Sequence, residues 1–404
     1  MKLLLLLVSI AFSAAAFLTL DWLRTAAIQR AQRTARATGK LRCLVRDPVR
    51  HHAFKPNCTA IEQWGADKYE FRTNGLGFRD EKIREVALAD TRPRILMLGN
   101  SFTEGPIGWR DSYVGRIAAR FPQYDLLNGG VSSYAPSNYL NVARMVLAKG
   151  VEIDEAIVFV GVSEVHDEAA FYRDVDASGA VTGPERGRSF LSWYASWHIR
   201  INRRLLLTSY LLERVERFFV DHGYYHLTWT GNGNVFDMER LAWTYRKVDE
   251  ADPFPAGYAP LGVEGGAAKA KAKMTLLWQE LRQRNIPISV VVYPYPGQLV
   301  HDTADSRQVR LWRDWCEGKC KRFISVFPAF FAVKDQCPRV EPGCWYLKLF
   351  VFGDVHYTAA GNALVADAVI KSLAEEPPAK HRPLVAGGQK IAAEAVNNYL
   401  RSMR

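Results

Sequence analysis

Short apolar runs recur along the chain, and each ends at a glycine, a proline or a polar residue. Runs of this length that are rich in Val, Ile and Leu are typical of buried parallel strands. The predicted strands lie at 94–98, 124–127, 156–160, 286–293 and 323–327. Amphipathic stretches at 113–120 and 140–147 predict helices between them. This alternation predicts a parallel sheet covered by helices on both faces, with its chemistry at the carboxyl ends of the strands.

The segment between the third and fourth predicted strands is too long for a single crossover. Residues 170–275 are rich in aromatic side chains, and we interpret them as a helical insertion that caps or extends the active-site face. The insertion contains Trp193, Trp197, Trp229 and Trp243. These rings either form the core of the insertion, as tryptophan burial generally favours, or stack on sugar rings.

The first 21 residues predict export. A single lysine is followed by an uncharged, mostly apolar run of 18 residues over 3–20. A basic start before a leucine-rich run is typical of a secretory signal, but 18 residues are also just enough to span a bilayer uncleaved. Residues 1–21 are therefore a signal peptide or a signal anchor. We expect a periplasmic or other extracytoplasmic protein, and in the second case one anchored to the inner membrane.

The rest of the chain divides into three predicted segments. Residues 22–93 comprise a basic helical stalk over 22–45 and an irregular, polar approach segment over 46–93. The α/β domain occupies 94–372 and includes the insertion. A proline-containing tail with a short helix follows at 373–404.

Composition and charge narrow the class of protein. Apolar residues make up 48% of the chain and charged residues 24%, which excludes a disordered, collagen-like or polytopic membrane chain. The formal net charge is +11, which favours anionic partners such as phospholipid head groups, acidic polysaccharide or nucleic acid. We expect no nucleic-acid partner, because the basic residues are dispersed or lie in the stalk and export disfavours that function.

The cysteines predict disulfide bonds. The set is even in number and falls into two clusters: Cys43, Cys58, Cys316, Cys320, Cys337 and Cys344. In an exported protein such a set favours disulfides, and six cysteines allow fifteen connectivities. The alternative is a zinc site made by the last four, whose gaps do not match the usual C-x2-C pairs. We expect neither a metal nor a cofactor.

Two short segments carry candidate catalytic chemistry. Ser101 directly follows the first strand, where backbone N–H groups of a helix start can stabilise an oxyanion, although serine there is also an ordinary helix cap. Asp354 and His356 stand two residues apart before the last predicted helix, where a carboxylate can orient an imidazole acting as general base. The sequence His166-Asp167-Glu168 lies just past the third predicted strand. We expect it either to start a solvated helix or to line the cleft.

Taken together, these segments resemble the SGNH (GDSL-like) hydrolase family. The Gly-Asn-Ser at 99–101 resembles its first block, with Ser101 in the nucleophile position. The Asn-Gly-Gly-Val-Ser at 128–132 resembles the second block, and the Asp-Val-His at 354–356 is similar to the D-x-H form of the alginate O-acetylation relatives. The resemblance covers about 70–372 apart from the insertion. It implies a three-layer αβα, flavodoxin-like parallel sheet of about five strands.

The resemblance also implies roles for individual residues. Ser101, His356 and Asp354 would form the catalytic triad, and the backbone N–H groups of Ser101 and Gly130 would hold the oxyanion. The third block departs from the family, since Gly-Val-Ser-Glu at 161–164 stands where Gly-x-Asn-Asp is usual. Ser163 could donate through its hydroxyl, whereas a Glu164 pointing inward would place a negative charge nearby. Losing one oxyanion donor typically costs about 10²–10³ in rate.

Two functions follow as expectations. The first is an exported serine esterase or O-acyltransferase that acts on an acetyl ester of a carbohydrate or cell-envelope polysaccharide. A transferase would take its acyl group from a membrane-bound partner, and the N-terminal segment would associate with the membrane. The alternative is a catalytically degenerate polysaccharide-binding or assembly subunit that keeps the fold.

Overall fold

The structure is a computed structural model of the 404-residue chain. It describes residues 2–37, 43–64, 67–175, 179–182, 204–221, 241–245, 258–337, 342–352 and 354–380. Trp193, Trp197 and Trp229 of the predicted insertion lie outside the described residues, as does the short helix predicted in the tail.

The helices alternate with the strands through most of the chain. The α-helices are α1 (Lys2–Ala37), α2 (Ser101–Glu104), α3 (Tyr113–Arg120), α4 (Pro136–Ala148), α5 (Ser163–His166), α6 (Leu206–Asp221), α7 (Gly262–Arg282), α8 (Pro296–His301), α9 (Arg307–Cys316), α10 (Phe327–Asp335), α11 (Pro342–Leu349) and α12 (Ala359–Glu375). Single 3₁₀ turns lie at Trp109–Asp111 and Ala242–Thr244, and a π-helical turn lies at Asp167–Phe171.

The strands are β1 (Leu44–Asp47), β2 (His51–Phe54), β3 (Thr59–Trp64), β4 (Asp67–Thr73), β5 (Arg79–Asp80), β6 (Arg94–Leu98), β7 (Asp125–Asn128), β8 (Glu155–Val160), β9 (Arg173–Asp174), β10 (Val181–Thr182), β11 (Ile288–Val292) and β12 (Cys320–Ser325).

The central sheet has eight strands in the order β12-β11-β8-β6-β7-β5-β4-β3. The first five in this order pair in parallel, and they correspond to the five strands predicted from the apolar runs. Numbered along the chain, their order is 2-1-3-4-5, which is the flavodoxin-like arrangement. The prediction of about five strands was too low, because it missed the antiparallel strands β5, β4 and β3 at one edge.

The segment over 46–93 is therefore not an irregular approach segment. It contains the hairpin β3–β4 and the short strand β5, which extend the sheet beyond β7. The strands escaped prediction because β3 alternates one buried residue with exposed and half-buried ones rather than forming an apolar run. The predicted stalk is helical as far as Ala37, where α1 ends, and β1 begins at Leu44.

The sheet divides two apolar clusters. Successive residues of β6 point to opposite faces, as the period of a strand requires: Ile95 and Met97 join one cluster, and Leu96 and Leu98 join the other. Helices α3 and α12 contribute to the first cluster, and helices α4, α7 and α9 to the second. The sheet is thus the middle of three layers.

Two predicted boundaries fall inside helices. Residue 275, the predicted end of the insertion, lies within α7, which packs on α4 and buries Met274 and Leu277 in the core. Residue 372 lies in the last turn of α12. Trp243 is fully buried in the cluster beside α3, as the core interpretation of the insertion's tryptophans expects.

All six cysteines form disulfides, as predicted. The pairs are Cys43–Cys58, Cys316–Cys320 and Cys337–Cys344. Disulfides persist in oxidising compartments, so they indicate an extracytoplasmic location. The zinc alternative for the last four cysteines is excluded, because their sulfurs are bonded to one another.

Among the described residues, none of the helices combines the length and the apolar character needed to cross a bilayer.

A buried ion pair fixes the start of β6. The Nε of Arg94 lies 2.7 Å from Asp125 Oδ2, and both side chains are almost fully buried. Arg84 Nη2 donates to the other carboxylate oxygen at 2.8 Å. The two arginines therefore share one carboxylate between the first two parallel strands.

We expect Asp125→Ala to destabilise the fold, because it would leave the Arg94 guanidinium buried without its carboxylate. Breaking such a pair typically lowers the free energy of unfolding by about 3 kcal/mol or more. Asp111→Ala removes the exposed pair with Arg116 and should cost well under about 1 kcal/mol. Urea denaturation of the two variants measures both values, and equal losses would contradict this account of Asp125.

Candidate active site

Ser101 lies where the order of the strands reverses. Strand β6 has β7 on one side and β8 on the other, and the chain crosses to opposite faces of the sheet there. A crevice opens at the carboxyl ends of strands at such a point. Ser101 begins α2 directly after β6, and the Asn100 side chain caps this turn by accepting from Phe102 N at 3.0 Å. Ser101 is half-buried and therefore reachable from the crevice.

Three predicted residues come together in a continuous hydrogen-bonded chain. The Oγ of Ser101 lies 2.7 Å from His356 Nε2, and His356 Nδ1 lies 2.6 Å from Asp354 Oδ1. With the Nδ1 proton donated to Asp354, Nε2 is free to accept from the Ser101 hydroxyl. This is the geometry of a nucleophile, a general base and a carboxylate that orients the base.

The loop that carries Asp354 and His356 is fixed at several points. The Tyr346 hydroxyl on α11 donates to the main-chain oxygens of Val351 and Asp354, both at 3.2 Å. The N–H of Val351 donates to His356 O at 2.8 Å. The Thr358 side chain then caps α12. The loop conformation therefore does not depend on the bond to Ser101.

Trp64 is a site residue that the sequence analysis missed. Its indole Nε1 donates to Asp354 Oδ2 at 2.7 Å, and its ring meets the His356 ring edge-on at 4.8 Å between centroids. The ring of Phe102 lies 4.7 Å from His356 on another side. Trp64 ends β3 in the sheet extension, 290 residues from Asp354, so no local sequence pattern connects the two.

The surroundings of Asp354 keep it ionised. Burial alone would raise the pKa of this carboxyl, but the charge of His356 and the hydrogen bonds from His356 and Trp64 outweigh burial and lower the pKa. This negative charge lies 2.6 Å from His356 Nδ1. The site can therefore stabilise charge separation between Ser101 and His356.

Gly130 lies against the serine turn, as the second block requires. A Cβ at this position would come within 2.5 Å of Thr103 Cβ and 2.7 Å of Glu104 N, so only glycine fits. Its N–H donates to Asn128 Oδ1 at 3.1 Å. To hold an oxyanion, this N–H would have to exchange that bond for one to the substrate.

Glu104 joins the turn that begins at Ser101 to the loop that follows β7. Its Oε2 accepts from the N–H and the hydroxyl of Ser132, each at 2.6 Å. Burial raises the pKa of Glu104, although the bonds from Ser132 and the charges of Arg79 and His356 oppose this. Arg79 Nη1 donates to the main-chain oxygen of Glu104 at 2.6 Å and so supports the same turn from β5.

Ser163 is buried in a hydrogen-bond network behind the serine turn. Its Oγ lies 3.3 Å from Asn100 Nδ2, 3.0 Å from the Tyr295 hydroxyl and 3.4 Å from Glu164 Oε2. Asn100 also accepts from the Tyr293 hydroxyl at 2.9 Å. The structure therefore places Ser163 beside the first block, and its role as an oxyanion donor stays a prediction.

Glu164 points inward and is fully buried. Its carboxylate accepts from Asn100 Nδ2 at 3.1 Å, Tyr139 OH at 3.0 Å and Gly161 N at 2.9 Å. Burial, helped by the charge of Asp167, raises its pKa to about 7 despite these donors. Near neutral pH the group is thus partly protonated, which reduces the negative charge that the sequence analysis anticipated.

The solvated helix start predicted around His166 is wrong. Asp167 and Glu168 are both buried. His166 Nδ1 lies 2.9 Å from Asp167 Oδ1, and Glu168 pairs with Lys269 at 3.1 Å while it accepts from Ser137 N at 2.7 Å. Each acid has a specific partner, because helix α7 and helix α4 cover this turn. No group of three or more His, Cys, Asp or Glu side chains in the described parts of the chain could hold a metal ion.

Comparison with known proteins gives structural similarity only. No protein-family model matches the chain, and no curated protein matches it by sequence. An acetylxylan esterase from Geobacillus stearothermophilus matches with a TM-score of 0.38 and 12% identity, over 71% of this chain and 95% of that one. A member of the lipolytic G-D-S-L family from Veillonella parvula matches with a TM-score of 0.34 and 9% identity, over 70% and 98%. These values describe a similarity of fold.

We expect Glu164 to make stability pH-dependent. Because its pKa is raised from 4.5 to about 7, the folded protein binds more protons than the unfolded chain between these values, and the free energy of unfolding falls as pH rises. Between about pH 5 and about pH 8 the wild type should lose on the order of 2 kcal/mol more than Glu164→Gln. Chemical denaturation at both pH values measures the difference.

The control is Glu280→Gln, which alters a half-exposed partner of Arg144 and should keep the pH dependence of the wild type. If Glu164→Gln also keeps it, Glu164 does not titrate in this range.

Proposed function

We propose that this protein is an exported serine esterase or O-acyltransferase of the SGNH type, acting on an acetyl ester of a carbohydrate or cell-envelope polysaccharide. The observation that carries the proposal is the continuous chain from Ser101 through His356 to Asp354, with contacts of 2.7 and 2.6 Å. The disulfides favour an extracytoplasmic site of action.

The proposed reaction has two halves. Ser101 Oγ attacks the acyl carbon while its proton passes to His356 Nε2, and Asp354 stabilises the imidazolium. The tetrahedral intermediate then collapses: the alcohol leaves with the proton from His356, and the acyl group stays on Ser101. Water, or a sugar hydroxyl in a transferase, attacks the acyl-enzyme as His356 takes its proton. The second tetrahedral intermediate then releases the acid or the new ester, and Ser101 Oγ leaves with the proton from His356. A transferase would receive its acyl group from a membrane-bound partner.

One observation favours the alternative of a polysaccharide-binding or assembly subunit. The Gly130 N–H donates to Asn128, and Ser163 is held among Asn100, Tyr295 and Glu164. Two of the three predicted oxyanion donors, the Gly130 N–H and the Ser163 hydroxyl, thus have partners within the protein. Since a missing donor typically costs about 10²–10³ in rate, a protein with this site could retain the fold with little turnover.

We expect Ser101→Ala to abolish ester hydrolysis. Removing the nucleophile leaves no acyl-enzyme route, so kcat/KM for p-nitrophenyl acetate should fall by roughly 10³-fold or more, and His356→Ala should fall almost as far because the two act as a unit. Ser372→Ala, on α12 and half-buried, is the matched control and should behave as wild type. Equal background rates from folded wild type and Ser101→Ala would move the assignment to the binding subunit.

We expect Trp64→Phe to weaken catalysis through Asp354. Phenylalanine keeps a ring beside His356 but removes the indole N–H, and a hydrogen bond to a charged group is typically worth about 1.5–3 kcal/mol. The kcat/KM should therefore fall about tenfold with little change in KM. Acidification below about pH 5 should cost the variant less of its free energy of unfolding than it costs the wild type, because the pKa of Asp354 loses one of the contacts that lower it. Chemical denaturation at neutral and acidic pH measures this.

The control for Trp64 is Trp278→Phe. Trp278 is half-buried near the amino end of β11, away from the site, and stacks with Arg282. A drop in rate for Trp64→Phe with the same loss of stability on acidification as the wild type would mean that Trp64 supports the fold and not the charge of Asp354.

A further inference from the structure

Helix α1 and helix α6 are joined by a polar cap rather than by apolar packing alone. Asp21 of α1 accepts from the N–H groups of Leu207 and Thr208 at 2.9 and 2.8 Å, and from the Thr208 hydroxyl at 2.7 Å. Thr25 Oγ1 accepts from Leu206 N at 3.0 Å. The first N–H groups of a helix lack partners within it, so α1 supplies the acceptors that α6 needs. The two helices are therefore held in a fixed arrangement.

Beside this buried cap, the two helices expose large apolar side chains. Each is between 38 and 67% exposed. We call these nine the paired-helix surface: Leu20, Trp22, Leu23, Leu206, Tyr210, Leu211, Leu212, Val215 and Phe218. Three of them on α6, Leu211, Val215 and Phe218, share one face of that helix by their spacing, and an exposed apolar face marks a site of interaction with a protein or a membrane.

Charge and continuity on α1 favour a membrane. The surface begins at Leu20, the last residue of the uncharged run over 3–20, and the exposed side chains of that run include Phe12 and Phe17. Residues 22–42 then contain six basic and no acidic residues. An apolar helix followed at once by clustered Lys and Arg is the arrangement that binds anionic lipid, with the apolar face in the acyl boundary and the cations at the head groups.

Helix α6 contributes apolar and aromatic side chains rather than positive charge, since it holds two basic and three acidic residues. Leu211, Val215 and Phe218 follow one another at helical spacing and are all exposed. Tyr210 is also exposed, and the Arg214 guanidinium donates to its hydroxyl at 2.8 Å and stacks on its ring. Aromatic rings with a polar end and long basic side chains are enriched at the level of the lipid head groups.

We propose that the paired-helix surface lies on an anionic lipid bilayer, so that α6 is a second membrane contact beside the N-terminal segment. Helix α6 also contacts α11, whose Tyr346 holds the loop of Asp354 and His356. The surface would therefore hold the catalytic loop close to the membrane. This inference concerns where the protein lies and is independent of the proposed reaction.

The test is spin labelling of the full chain in bilayer nanodiscs that contain phosphatidylglycerol. Single cysteines are introduced by Leu23→Cys, Leu211→Cys and Phe218→Cys, positions whose side chains are already exposed. Leu88→Cys is the matched control, since Leu88 is an equally exposed leucine far from both helices in sequence. Circular dichroism of each labelled protein establishes that it is folded before reconstitution.

We expect the labels at 23, 211 and 218 to collide with oxygen several times more than with a water-soluble nickel chelate, and the label at 88 to show the reverse. Labels at 211 and 218 that behave like the label at 88 would overturn the proposal, even if the label at 23 meets lipid. Labels at 211 and 218 that are shielded from both reagents would also overturn it, because protein would then cover the surface.

Discussion

The reversal of strand order at β6 is the constraint on which the site depends. Because β7 and β8 flank β6, the connections after β6 and β8 leave on opposite faces and a crevice opens between them. Ser101 enters this crevice from β6, and Ser163 approaches from β8. The loop before α12 then needs only to place His356 at the same edge. The order of the strands therefore brings Ser101 and His356 together at one edge of the sheet.

Behind this crevice the protein buries acidic groups that it neutralises in different ways. Asp354 stays charged because His356 and Trp64 face it, whereas Glu164 is partly protonated near neutral pH because burial dominates. Glu164 contacts Asn100, the residue before the serine, and Asp354 contacts His356. The donors around each carboxyl thus decide its state: Asp354 carries a negative charge, whereas Glu164 mainly accepts hydrogen bonds from its neighbours.

The sequence predicted those strands and site residues that a short stretch of chain is enough to recognise. The five parallel strands were found because each is a short apolar run, and Ser101, Asp354 and His356 because they stand at loop positions of ordered blocks. The antiparallel edge was missed because β3 has one exposed face and no apolar run. Trp64 was missed and the orientation of Glu164 was left open, since their contacts come from distant segments and from burial, which spacing does not encode.

The contact between Trp64 and Asp354 also decides how separable the parts of the chain are. The α/β region from Arg94 onward contains the serine, the imidazole and the carboxylate, so it looks like a complete module. Yet one donor to that carboxylate comes from an edge strand that precedes it, and Arg79 of the same edge supports the serine turn. A fragment cut at residue 93, or a chimaera with another N-terminal half, would keep Ser101, His356 and Asp354 and lose part of what holds them.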